Sequence, residues 1–154
     1  MLRFATLLSA LCLSSSLALA ADISIEQPFA RATPPGQPNS AAFMRLTNNG
    51  EATTLVAATS TVAEVVELHA HTHDNGVMRM RRIEQIELPA GATPPLEPGG
   101  LHVMLIGLKQ PLQAGSHIAV TLNYADGTEQ QVEVPVQMAM PAGMQMQQQK
   151  HGTH

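Results

Sequence analysis

From Ile23 to Val136 the chain is a succession of short apolar and β-branched stretches, each ended by Pro, Gly or Asn. The pattern predicts strands over 23–30, 41–47, 53–59, 63–71, 77–83, 86–88, 101–107, 117–123 and 130–136. The breaks between them are turn sequences: Thr33-Pro34-Pro35-Gly36, Asn48-Asn49-Gly50, Asp74-Asn75-Gly76, Pro89-Ala90-Gly91, Glu97-Pro98-Gly99-Gly100 and Ala125-Asp126-Gly127. No segment holds apolar residues at helical spacing for the ten or more positions a helix needs. Regularly spaced short strands predict an all-β sandwich or barrel, and no internal repeat divides it.

Both ends depart from this pattern. Arg3, an apolar run through Leu13 and the small-residue sequence Ala18-Leu19-Ala20 read as a secretory signal, residues 1–20, with cleavage after Ala20. Cleavage there would leave 134 of the 154 residues, enough for one core. The apolar run is too short to cross a bilayer, and no later segment approaches the roughly 20 apolar residues of a membrane helix. After Val136, in residues 137–154, Met138, Met140, Met144 and Met146 are spread among Gln, Ala, Pro and Gly, followed by His151 and His154. That composition cannot build a core and predicts a flexible tail appended to the domain of residues 21–136.

The expected product is a soluble, exported, periplasmic monomer. Cys12, the only cysteine, lies in the signal, and Leu11 before it argues against lipid modification. The mature chain would have neither thiolate nor disulfide. Losing Arg3 leaves seven basic against twelve acidic side chains, a formal −5 that argues against a nucleic-acid partner.

Histidine and methionine recur together at three places: His69-Ala70-His71, Met78-Arg79-Met80 and His102-Val103-Met104. Imidazole with thioether and no thiolate is a ligand set suited to Cu(I), and thioethers cannot form disulfides in an oxidising compartment. Side chains alternate along a strand, so each pair shares a face, leaving Leu68, Ala70, Val103 and Leu105 on the other face for a core. Two hairpin registers are open between 71 and 77. A two-residue Asn75-Gly76 turn sets His71 opposite Met80, and a four-residue turn from His73 sets His69 there. Both keep His and Met on one face, because they differ by two residues.

The runs Glu67-Leu68-His69, Gly76-Val77-Met78-Arg79-Met80-Arg81, Leu88-Pro89-Ala90-Gly91 and Pro98-Gly99-Gly100-Leu101-His102-Val103-Met104-Leu105 closely resemble the periplasmic PCuAC copper chaperones. That family's motif is a His, ten residues, a Met, twenty-one residues, then His-x-Met, and His69, Met80, His102 and Met104 meet every spacing. The resemblance spans about 28–136. It implies a cupredoxin-like, immunoglobulin-like β-sandwich or barrel holding one Cu(I) near its surface through those four side chains, with His71 as an auxiliary ligand. It also implies further copper on the tail residues Met138, Met140, Met144, Met146, His151 and His154; separately, imidazole suits Cu(II), so His151 and His154 are expected to capture that ion first. The partners implied are the cytochrome c oxidase subunit bearing the dicopper centre and Sco-type thiol proteins.

Simpler roles suit other residues. Met44 fits a core position, Met78 a neighbouring hydrophobe, His73 a solvated turn residue and His117 a structural or solvated strand residue. Arg79, Arg81 and Arg82 fit a wet strand face. No nucleophile stands beside a base motif, no His-Glu-x-x-His helix is present and no Gly-rich phosphate loop follows a strand, so the chain is expected not to be an enzyme. Blue-copper electron transfer needs a Cys thiolate, which the mature chain lacks. The expectation is a metallochaperone, with copper storage or tolerance, or a structural β-sandwich binding zinc or a protein, as the alternatives.

Overall fold

A computed structural model describes residues 22–138. Among these residues it contains ten strands and no helix: β1 (Ile23–Arg31), β2 (Asn39–Asn48), β3 (Thr53–Thr59), β4 (Ala63–Asp74), β5 (Val77–Ile83), β6 (Ile86–Leu88), β7 (Pro95–Leu96), β8 (Leu101–Leu108), β9 (His117–Tyr124) and β10 (Glu129–Gln137). They form one continuous sheet in the order β5-β4-β8-β7-β2-β1-β10-β9-β3-β6. All pairings are antiparallel except β1 with β10 and β7 with β8. The short β7 had no counterpart in the sequence pattern, because two residues cannot display a period.

The sheet is open, with β5 and β6 at its edges, and folds over as a sandwich. Leu68, Val103, Leu105 and Met44 from the β4-β8-β2 half share one buried core with Leu55, Leu88, Val120 and Leu122 from the β9-β3-β6 half. Alternation dictates this plainly in β9, where Ile118, Val120, Leu122 and Tyr124 are buried and the residues between them are not. Asn48, fully buried at the end of β2, satisfies its amide by donating to the carbonyls of Glu51 and Leu88, and its side-chain oxygen accepts from the Gly50 amide.

Several strands run past the limits their patterns set. β4 continues through His73 to Asp74, so only Asn75 and Gly76 form the turn into β5. Both take positive φ (48° and 78°), the conformation of a two-residue hairpin whose twist matches the strands it joins. The ladder can therefore stay paired to its end, which settles the register: His71 lies opposite Met80, and His73, in the strand rather than the turn, opposite Met78.

Candidate metal centre

The three His/Met segments lie side by side on the outer face of the β5-β4-β8 edge of the sheet. β4 pairs with β8 so that His69 faces His102 and Glu67 faces Met104, and with β5 so that His69 faces Arg82 and His71 faces Met80. Met80 and Met104 also line one groove of about 370 Å³ with Arg31, Thr33, Pro34 and Asn39. The structure thus gathers His69, Met80, His102 and Met104 on a single face. It places His71 there as closely as His69: their rings lie 5.0 and 5.7 Å from that of His102.

Hydrogen bonds leave these imidazoles with bare nitrogens. His102 is 1% exposed, and its Nδ1 donates to the Gly100 carbonyl at 3.1 Å, so its Nε2 keeps the lone pair. The same carbonyl accepts from the His71 backbone amide at 3.2 Å, tying the β4 end to the Gly99-Gly100 turn. His69 Nε2 lies 2.8 Å from Glu67 Oε2, with Arg82 Nε 3.7 Å from the other carboxylate oxygen. Among the described residues, four buried side-chain atoms lack a hydrogen-bond partner, and three are His69 Nδ1, His71 Nδ1 and His102 Nε2. Buried polar atoms are rarely left unsatisfied without a function.

His102 is sheltered by residues the sequence reading did not assign to the site. Phe43 is 2% exposed and its ring lies 6.1 Å from the His102 ring, Phe29 stacks on Phe43 at 5.0 Å, and the Arg31 guanidinium covers Phe43 at 5.2 Å. A bulge at Gln27 (φ 49°) shifts the β1 register and brings Phe29 opposite Phe43. Bulges re-aim side chains in this way beside functional sites. Burial pushes the His102 imidazole below its ordinary value, with His71, His69 and Arg31 acting in the same direction and the Gly100 hydrogen bond opposing them. The ring is therefore held neutral, the form that binds metal.

The thioethers are reachable, Met80 being 47% exposed. No three His, Cys, Asp or Glu side chains among the described residues are grouped to hold a metal by themselves, so a site here draws on the methionines. Met78 and His73 share the face but lie toward the exposed hairpin tip, Arg79 and Arg81 point to the opposite face, and His117 starts β9 in the other half of the sandwich. Met44 is buried in the core, as its position predicted. Met138 follows β10 and is 72% exposed. The signal, residues 1–20, and the tail positions Met140, Met144, Met146, His151 and His154 lie outside the described residues. Among the described residues no helix is long and apolar enough to cross a membrane.

Residues 23–136 match the model of the LpqE-like family, described as "Putative lipoprotein LpqE-like". A relative from Leifsonia xyli subsp. xyli, "Putative lipoprotein Lxx21020", is 44% identical over 103 residues, covering 66% of this chain and 62% of that protein. The uncharacterized protein RP573 of Rickettsia prowazekii is 32% identical over 115 residues, covering 71% and 64%. The chain therefore spans a little under two thirds of the length of both relatives.

Solved structures share the fold. The solution structure of Cu(I)-DR1885 from Deinococcus radiodurans is similar at TM-score 0.64 and 32% identity, covering 82% of this chain and 85% of that one. The copper-bound PCuAC domain from PmoF2 has the same arrangement at TM-score 0.64 and 24% identity, covering 78% and 97%. Family match, shared fold and the His/Met face agree: the chain belongs to the LpqE-like family, of PCuAC type.

Proposed function

We propose that this chain is a periplasmic copper metallochaperone, a carrier rather than an enzyme. It binds Cu(I) through His69, Met80, His102 and Met104 and delivers it toward the dicopper centre of cytochrome c oxidase, with Sco-type proteins as companions. The observation that carries the reading is the set of buried imidazole nitrogens without partners on the face that bears two thioethers. Neutral imidazole and thioether suit Cu(I). Support also comes from DR1885, a relative 32% identical whose structure was solved with Cu(I).

The ligand set fits a carrier. It has no thiolate to retain the ion, and the exposed Met80 is where an acceptor's ligands can begin replacing these one at a time. His71, which lies opposite Met80, serves in this reading as an additional donor during that exchange. Export to the periplasm by the signal at residues 1–20 completes the reading, and the lipoprotein names of its relatives are consistent with export. The tail's Met138, Met140, Met144, Met146, His151 and His154 supply further copper sites, the histidines taking Cu(II).

Titration with Cu(I) against a competing chelator tests the site: one ion should bind tightly, and His102→Ala with Met104→Ala should abolish it. Unchanged affinity in the double variant would overturn the assignment. Deleting the gene tests delivery. Loss of oxidase activity that added copper restores supports it, whereas copper sensitivity with normal oxidase points to storage.

A further inference from the structure

Glu67 has no place in a His/Met ligand set, yet its half-buried side chain shares the site's face, directly across from Met104. Its two oxygens have separate partners. Oε2 lies 2.8 Å from His69 Nε2, and Oε1 lies 3.7 Å from Nε of Arg82, the residue paired with His69 across the β4–β5 ladder. Glu67 thus has a hydrogen-bond partner on its own strand and a longer ion-pair contact to the next one.

An ionised carboxylate can only accept, so the hydrogen between the two groups sits on His69 Nε2, and in its neutral form the ring carries its lone pair on Nδ1. Nδ1 is the nitrogen that is buried without a partner. His102 follows the same logic with its nitrogens exchanged: Nδ1 donates to the Gly100 carbonyl and Nε2 is bare. The two rings differ in what holds them. A backbone carbonyl fixes His102, whereas a full negative charge fixes His69.

The geometry points to Glu67 as the positioning residue of this site. It locks His69 as the Nε2–H tautomer, presents Nδ1 to the metal, and places one negative charge beside a cation that four neutral donors leave uncompensated. The metal-facing half of this inference rests on the copper reading above, while the tautomer is a property of the metal-free protein. Carboxylates bound behind ligating histidines commonly raise metal affinity about 10- to 100-fold by orienting the ring and raising its basicity.

Two substitutions separate orientation from charge. Glu67→Gln keeps an acceptor oxygen of the same shape and loses the charge; Glu67→Leu loses both. In the metal-free full-length protein labelled with 15N-histidine, NMR should show His69 protonated at Nε2 and bare at Nδ1, with His117 as an exposed reference. Glu67→Gln should keep that signature and lower Cu(I) affinity severalfold. Glu67→Leu should give mixed tautomers and lower affinity about 10- to 100-fold, while thermal unfolding and the His102 signals show the fold intact. A wild-type His69 carrying its proton on Nδ1, or a folded Glu67→Leu protein with wild-type affinity, would overturn the inference. A wild-type protein that takes no Cu(I) yet shows the Nε2–H signature, lost in Glu67→Leu, would instead overturn the copper reading and leave the tautomer assignment standing.

Discussion

Truncating Phe43 tests whether the shelter behind His102 sets the chemistry of the site. The ring is almost wholly buried, stacked on Phe29 and covered by Arg31. Removing a buried Phe side chain costs about 3–5 kcal/mol, and aromatic pairs contribute about 0.5–1.5 kcal/mol beyond their buried area. The position lies outside the main core and close to the surface, where neighbours and water can fill part of the space. The lower end, roughly 3 kcal/mol, is therefore expected for Phe43→Ala in urea unfolding at pH 7.5.

A second effect is more diagnostic. Desolvation is the first cause of the lowered His102 pKa, so admitting water should bring it back toward its ordinary value. A histidine whose folded pKa is depressed adds stability that is present above its unfolded pKa, about 6.5, and is lost as pH falls through the folded value. Metal-free wild type should accordingly lose stability below about pH 6.5, and Phe43→Ala should lose less over the same interval. NMR titration of His102 reads the shift directly, and Phe43→Leu, which keeps the cover, should behave like wild type. A His102 titration unmoved in Phe43→Ala would show that the aromatic shelter does not set the ring's charge.

Three further outcomes are expected. Met80→Leu and Met104→Leu preserve shape and remove the thioether, so each should leave the melting temperature within a few degrees and weaken Cu(I) at least tenfold in chelator competition; unchanged affinity in both would remove the thioethers from the site. Gly76→Ala forces a side chain into φ 78° and should cost about 1 kcal/mol in urea unfolding, with line broadening of the β4–β5 tip in NMR spectra. Burial pushes the Tyr124 phenol up to about 12. A phenol raised above its unfolded value of about 10 gives stability that is complete below that pH and lost as pH rises through 12. Wild type should therefore lose up to roughly 3 kcal/mol over that interval, and Tyr124→Phe should lack the slope.

Most of the fold was legible because its core obeys a period of two. In β9 every second residue is buried, and the same rule placed Leu68, Val103 and Leu105 inward and the His/Met pairs outward. At two places among the described residues adjacent residues of one strand are buried on both faces, and both belong to the candidate site. Phe43 is buried between core residues Ala42 and Met44, and His102 is buried next to Val103. The unbroken run Ala42-Phe43-Met44 was the available signal that the outer face also needs cover at this point. Register escaped the pattern, since turns of two and four residues keep the same side chains on the same face; only the paired ladder places His71 opposite Met80. Glu67 escaped because a charged residue on an outer strand face is ordinarily solvated, and its partners become visible only when β5 brings Arg82 across.

β5 ends the sheet and pairs on one side only, while Val77, Met78 and Met80 on it are more than 45% exposed. An edge strand with apolar side chains is a template on which another chain can add a strand and begin aggregating. On the proposed function, cargo exchange favours an accessible thioether at this edge, so the strand would not simply be buried. Arg79, Arg81 and Arg82, half of the six Lys and Arg residues among the described positions, stand on this one strand. Two copies approaching edge to edge would bring these cations together, a repulsion that works against pairing of this strand with its own kind.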